Sequence, residues 1–231
     1  MITVTNLFKS FGETPVLRGA TLTLSKGKST VVIGKSGSGK SVLMKSILGL
    51  VQPDSGTIMQ DGAPLDRTRF LDDFGMLFQG AALFDSLPVW QNVAFRLLRR
   101  MPKAKARAIA LEKLGRVGLE ADVADRLPAM LSGGMQKRAG LARAIATNPS
   151  VLFFDEPTTG LDPIMARAIN DLIRDIVRET HATTLTITHD MTTVRTIADT
   201  VMLLEQGKVH WQGTVSDLSE TRDETLRAFI A

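Results

Sequence analysis

Cysteine is absent from the sequence, which excludes a disulfide framework, a thiolate metal site and a cysteine nucleophile together. Residue usage therefore gives no sign of an oxidising compartment, and catalysis must use other groups. Long hydrophobic runs are also missing. No uninterrupted apolar stretch reaches membrane-spanning length, and the opening Met1 to Leu7 lacks a basic stretch followed by an apolar run. The expectation is a chain neither secreted by a signal peptide nor anchored in a membrane by itself. Low-complexity tracts, internal repeats and linkers rich in Gly, Ser or Pro are likewise lacking.

What is present fits a soluble globular protein. With 231 residues, 44% hydrophobic and 23% charged, the chain can bury one substantial α/β core, or a core with a small subdomain. The formal net charge of +4 admits an anionic partner such as nucleic acid, a nucleotide or an acidic membrane surface. Lys and Arg are spread along the chain, however, and the loose cluster from Arg96 to Arg107 reads as a solvated helix face.

Short apolar or β-branched runs at Ser29 to Gly34, Val151 to Asp155 and Thr183 to Thr188 alternate with helical patterns. This predicts strands of a largely parallel, buried sheet. Pro163 suits the first turn of a helix in which Ile164, Ala168, Leu172, Ile176 and Val177 fall at helical spacing. From about Gly80 to Pro149 the pattern is almost purely helical, with Ala104, Ala108, Leu111, Leu114 and Val117 marking one amphipathic face. The reading is one α/β domain over 1–231: 1–79 and 150–231 form the core, with a short antiparallel β region near the N-terminus, and 80–149 form an inserted helical subdomain.

The strongest chemical signal is Gly34-Lys35-Ser36-Gly37-Ser38-Gly39-Lys40-Ser41, a complete G-x-x-x-x-G-K-S phosphate loop between a predicted strand and the helix through Leu43 and Ile47. Its glycines let successive backbone N–H groups turn inward around phosphates, and the helix N-terminus adds partial positive charge. Lys40 is expected to reach the β- and γ-phosphates of ATP, and the Ser41 hydroxyl to ligate Mg²⁺.

A second element, Val151 to Glu156, is a buried strand that delivers two acids at its C-terminal end, where ligands bind in open α/β sheets. Asp155 fits the Mg²⁺-holding acid, and Glu156, one residue on, can polarise the attacking water. Alone, such a pair more often starts a solvated loop; following a phosphate loop gives it weight. A third element, Leu131-Ser132-Gly133-Gly134-Met135, opens a helix carrying Ala139, Ala142 and Ile145 on one face, with Ser132 able to cap it. Structurally this is a capped helix start. Functionally it is a second phosphate-binding N-terminus with no reason to sit near its own phosphate loop.

These motifs resemble the ABC ATPase family over essentially the whole chain. The resemblance implies that Leu131 to Met135 is the ABC signature, which closes over the γ-phosphate held by the partner's phosphate loop in a head-to-tail homodimer with two sandwiched ATP. It further implies that Gln79 senses Mg²⁺ and water, that Thr159-Gly160-Leu161-Asp162 is the D-loop, and that His189 is the switch histidine. Phe11 occupies the place of the aromatic residue, commonly Tyr, that stacks on adenine, although Phe8 lies close by. His181 and His210 are taken as structural. Met135 stands where many relatives have Gln.

Together with Gln79 to Phe84 and Gly160 to Ile164, Met135 most resembles the ATPase subunits of Mla- and Mce-type phospholipid transporters. That narrower likeness implies a multispanning permease, a membrane-anchored lipid-binding MCE protein, a STAS-domain regulator, and a peripheral position on the cytoplasmic face of the inner membrane. No nucleic-acid partner is expected. Two other readings remain open: the ATPase of an importer for a small polar solute such as an amino acid, and a soluble ABC protein acting on nucleic acid or ribosomes. Finally, Ala81, Ala82, Leu83, Phe84, Leu87, Val89 and Trp90 are too apolar for an ordinary exposed loop. Either they form the subdomain core, or they line the groove that receives a permease helix in the ABC plan.

Overall fold

A computed structural model describes residues 1–230. In chain order it begins with β1 (Ile2–Phe11), β2 (Thr14–Leu24), β3 (Ser29–Ile33), α1 (Lys40–Leu48), β4 (Ser55–Gln60), β5 (Ala63–Pro64) and α2 (Arg67–Asp72). The middle comprises β6 (Phe74–Leu77), α3 (Val89–Val93), α4 (Lys103–Arg116), α5 (Gly133–Ile145), β7 (Val151–Asp155) and α6 (Pro163–Thr180). It ends with β8 (Thr183–Ile187), α7 (Met191–Ile197), β9 (Thr200–Glu205), β10 (Lys208–Gly213), α8 (Val215–Glu220) and α9 (Glu224–Ile230). The chain divides into two compact units: residues 1–72 with the C-terminal part from His181, and residues 73–180. The division drawn from the sequence grouped 150–180 with the α/β core instead.

In the first unit, an antiparallel sheet in the order β2-β1-β4-β5 forms the N-terminal β region. The pairing of β1 with β2 shifts register at three places, the first of them between Val4 and Leu7. Ile2, Val4 and Leu7 are the buried residues of β1, so the two-residue period gains one position at Thr5–Asn6. A β-bulge absorbs it, with Asn6 at φ 49° and its N–H donated to Thr21 Oγ1 at 2.9 Å. Beside this sheet in the sequence, β3 lies between β8 and β9, parallel to both, and β10 returns antiparallel on β9. Every residue of β3 and β8 is buried, which is why these strands read as continuous runs rather than alternating ones.

In the second unit, β6 and β7 pair in parallel, with Phe74 opposite Val151 and Leu77 opposite Phe154. The backbone of α5 packs directly on β6. A Cβ at Gly75 would overlap the Ala144 carbonyl oxygen, and one at Gly140 would come within 2.9 Å of Leu77 Cδ1. Small residues at these positions permit that close approach. Ser132 caps α5, its Oγ accepting from Met135 N at 3.3 Å, a contact worth about 1 kcal/mol. Asp162 does the same for α6, its Oδ1 accepting from the N–H groups of Ile164 and Met165 at 3.0 Å each.

Two helical faces differ from the expectation. In α4 the buried residues are Ala106, Ala110 and Leu114, while Ala104 and Ala108 are exposed. In α6 the buried stripe is Ile169, Asn170, Ile173 and Ile176, and Ile164 is 81% exposed. Both helices carry apolar residues on more than one stripe, and packing selects among them. Among the described residues, no helix is long and apolar enough to cross a membrane.

Candidate functional site

The first unit contributes the phosphate loop. It leaves the buried β3 at Gly34 and enters α1 at Lys40, whose N-cap is Gly39 at φ 103°. Gly34 and Gly37 also have positive φ, 152° and 79°. Gly34 is constrained twice, because a Cβ there would overlap the Leu204 carbonyl oxygen. Lys40 Nζ donates to the carbonyl oxygens of Gly34 at 2.6 Å and Lys35 at 2.9 Å, which sets its ammonium inside the loop. Ser38 Oγ is buried and without a hydrogen-bond partner, the kind of polar atom a bound phosphate oxygen satisfies. Ser41 is exposed on the first turn of α1. The loop therefore fits a nucleoside triphosphate on its own geometry.

The same unit carries Phe11 and His189. Phe11 ends β1 and is 51% exposed, with Lys9 Nζ 5.4 Å from its ring centroid. Phe8 is 43% exposed, and its ring covers Gly19. Neither is core, so exposure alone leaves both able to meet a base. His189 is exposed two residues after the end of β8. His210 pairs with Asp223, Nε2 to Oδ2 2.9 Å.

The second unit holds Gln79, the acid pair and the signature. Asp155 ends β7 and is half-buried, as is Glu156. Glu156 has φ 48°, a left-handed conformation that costs a non-glycine residue about 1 kcal/mol. Its carboxylate Oε2 accepts from Thr159 Oγ1 at 3.0 Å, and its carbonyl oxygen from Thr159 N at 3.3 Å. Gln79 follows β6 and is exposed. Ser132 and Gly133 are exposed at the start of α5, whereas Gly134 is buried against Met165. Met135 lines, with Met165, Arg126 and Arg138, a cavity of about 290 Å³.

Three groups that sequence reasoning passed over organise this unit. Lys137, 5% exposed, donates from Nζ to the carbonyl oxygen of Gln79 and to that of Glu156. Burial pushes its ammonium below the ordinary lysine range, and the nearby Asp155 and Glu156 carboxylates act in the opposite direction. Arg143 donates to Ala81 O and Ala82 O, both at 2.6 Å, across two alanines with φ 59° and 48°. Asn92, fully buried, exchanges bonds with Phe84 N and O at 2.6 and 3.1 Å and donates to Leu87 O at 2.9 Å. A signal existed for Lys137: Gly134, Lys137, Leu141 and Ala144 share one buried stripe of α5, and a charge in such a stripe needs partners.

The apolar segment after Gln79 splits in two. Ala81, Val89 and Trp90 are buried and belong to the core of their unit. Phe84 is 44% exposed and stacks on Phe95 with centroids 4.6 Å apart. The basic cluster is not merely solvated either. Lys103 and Arg107 lie over the Trp90 ring at 5.7 and 5.8 Å, Arg99 lies over Phe95 at 5.5 Å, and Arg107 also pairs with Asp125.

A phosphate loop from a buried strand into a helix, an acid pair ending another strand, and a capped glycine-rich helix start define an ATP-binding cassette, an ATPase domain. The family model described as ABC transporter matches residues 17–159, and the chain belongs to that family. It is 38% identical over 99% of its length to a Mycobacterium tuberculosis protein named probable ribonucleotide transport ATP-binding protein mkl, of which it spans 66%. To the Arabidopsis thaliana protein TRIGALACTOSYLDIACYLGLYCEROL 3, chloroplastic, it is 35% identical over 99% of the chain and 73% of the relative. To a methionine import ATP-binding protein MetN of Mesorhizobium japonicum it is 40% identical over 93% of the chain and 60% of the relative. The chain thus spans roughly two thirds of the length of these curated relatives. Among solved structures, the cassette MJ0796, described as a dimeric post-hydrolysis state bound to ADP and Pi, matches with TM-score 0.84 and 30% identity, covering 93% of this chain and 99% of that one.

Proposed function

We propose that two copies of this chain close head to tail around two ATP molecules and power a multispanning permease that moves phospholipid between membranes. The observation that carries the dimer is the signature itself: Ser132 and Gly133 lie exposed at a capped helix start in a unit, residues 73–180, that contains no phosphate loop. A phosphate supplied by a second copy gives those N–H groups a partner. The dimeric description of MJ0796 with ADP and Pi supports the same arrangement.

In this reading, the 35–41 loop wraps the phosphates and Lys40 neutralises the β- and γ-oxygens. Phe11 stacks on adenine. Ser41, Gln79 and Asp155 would hold Mg²⁺, which suits an ion that takes few protein ligands and completes its shell with phosphate oxygens and water, and which supplies charge neutralisation at the leaving group. Glu156 accepts a proton from the attacking water, His189 donates to the γ-phosphate as charge develops, and Asp162 borders the site as part of the D-loop. The exposed Phe84, stacked on the half-buried Phe95, offers the apolar anchor for a permease helix. The chain itself works as a peripheral subunit at the cytoplasmic face of the inner membrane.

Phospholipid as cargo rests on the Mla-like motifs around Gln79, Met135 and Gly160, and the lipid in the printed name of the Arabidopsis relative supports it. An MCE protein and a STAS-domain regulator complete the proposed assembly. The MetN relative favours a second reading, import of a small polar solute. Purifying the chain with whatever accompanies it from its own membranes separates the two. A permease carrying bound phospholipid supports the lipid reading, a periplasmic solute binder replaces it with the importer, and ribosomes or DNA overturn both.

A further inference from the structure

We propose that Lys137 is a positioning residue for ATP hydrolysis, its buried ammonium fixing the backbone of Gln79 and Glu156 together so that both side chains meet the attacking water in register. This rests on the reading of Gln79 and Glu156 just given, and adds a residue on which that reading depends.

Three observations converge on it. Lys137 Nζ donates to the carbonyl oxygen of Gln79, 58 residues away in sequence, and to that of Glu156 at 3.3 Å. Burying an ammonium at 5% exposure is unfavourable unless its donors are satisfied, and the partners here are the main chains of two proposed reacting-site residues. Glu156 sits in a left-handed conformation, φ 48°. A non-glycine residue keeps that conformation only where its surroundings hold it, and its carbonyl is held by Lys137 Nζ and Thr159 N.

Next to Gln79 in the chain, the following loop residues are held by Arg143 through Ala81 O and Ala82 O. One helix, α5, thus fixes the loop carrying Gln79 and the strand end carrying Glu156. A methionine would fill the same space without donors, removing one of the bonds that hold Glu156 in its left-handed well. Misplacing a water-activating group by about 1 Å costs on the order of a hundredfold in rate, so even a fraction of that displacement is measurable.

The test uses this chain in five forms: wild type, Lys137→Met, Lys137→Gln, Glu156→Gln and the Lys137→Met/Glu156→Gln double variant. Steady-state ATPase assays give kcat and KM, and a fluorescent ATP analogue gives nucleotide affinity. The expected result is that Lys137→Met lowers kcat at least about tenfold with nucleotide affinity within about twofold of wild type. Lys137→Gln, which keeps a donor, should recover part of the loss. In the Glu156→Gln background, Lys137→Met should lower kcat by clearly less than it does in the wild type, because the part of its effect that runs through Glu156 is already lost and only the part through Gln79 remains.

Wild-type kcat in Lys137→Met, with Glu156→Gln slowed about a hundredfold, overturns the inference and leaves the reading of the site intact. Full additivity of the two losses also overturns it, since a general structural defect adds to any other. Wild-type turnover in Glu156→Gln overturns the reading on which the inference rests. Should Lys137→Met fail to fold, Lys137→Gln alone decides: a fall in kcat with nucleotide affinity unchanged supports the positioning role, and wild-type kcat, or a loss of affinity equal to the loss of kcat, removes it.

Discussion

Two tight loops in this molecule hold backbone in left-handed conformations by opposite means. The phosphate loop does so with glycines at Gly34, Gly37 and Gly39, for which those conformations carry no steric cost. The loop after Gln79 does so with alanines, Ala81 at φ 59° and Ala82 at 48°, which must be held there from outside. Arg143 donates to both alanine carbonyls, Lys137 to that of Gln79, and Asn92 bonds both backbone groups of Phe84. Eight consecutive residues write the first loop. The second is written by residues on α3 and α5, and can therefore respond to what happens to those helices.

Breaking the first loop should have the largest effect. Lys40→Ala removes the cation that its carbonyls hold between Gly34 and Lys35, and nucleotide binding should fall below detection with a fluorescent ATP analogue. Near wild-type affinity and turnover would defeat the phosphate-loop assignment.

Next in size is Ser132→Arg, a bulky charge at an exposed helix start. Each chain should still bind ATP at its own loop while hydrolysis fails, because the partner's γ-phosphate can no longer dock. Hydrolysis at the wild-type rate would rule out the head-to-tail sandwich for this protein.

The comparison itself is sharpened by Arg143→Met, which removes two hydrogen bonds from the second loop and none from the first. Loss of two charge-assisted bonds should lower stability by about 3 kcal/mol, a fall of about 6–12 °C in the melting temperature. ATP affinity should stay put. If affinity falls in step with stability, the two loops are not independently specified as described.

The smallest effect on the isolated chain belongs to Phe84→Asp. Its backbone bonds to Asn92 survive the substitution, and only the stack on Phe95 is lost, about 1 kcal/mol or less. Folding and nucleotide binding should be nearly unchanged, while copurification with the permease is lost. A misfolded variant would make Phe84 core, and normal assembly would move the docking surface elsewhere.

Much of the fold could be read in advance because its determinants are contiguous. Buried strands β3, β7 and β8 announced themselves as unbroken apolar or β-branched runs, and the caps Ser132 and Asp162 act within three residues of themselves. The helical faces were harder. In α4, alanines at 104, 106, 108 and 110 lie on different stripes of the helix, so composition permits several faces. Packing on α3 and α5 buried Ala106 and Ala110. In α6, the stripe through Ile169, Ile173 and Ile176 prevailed over the one beginning at Ile164.

By itself, then, the sequence determined the chemistry that lives in one short segment: a phosphate loop whose glycine conformations and helix N-terminus need no distant partner. Tertiary structure alone decided what Lys137 and Arg143 are for. Their hydrogen-bond partners lie 19 to 62 residues away, and a buried cation's role depends on which carbonyls the fold brings to it, a matter no local pattern encodes.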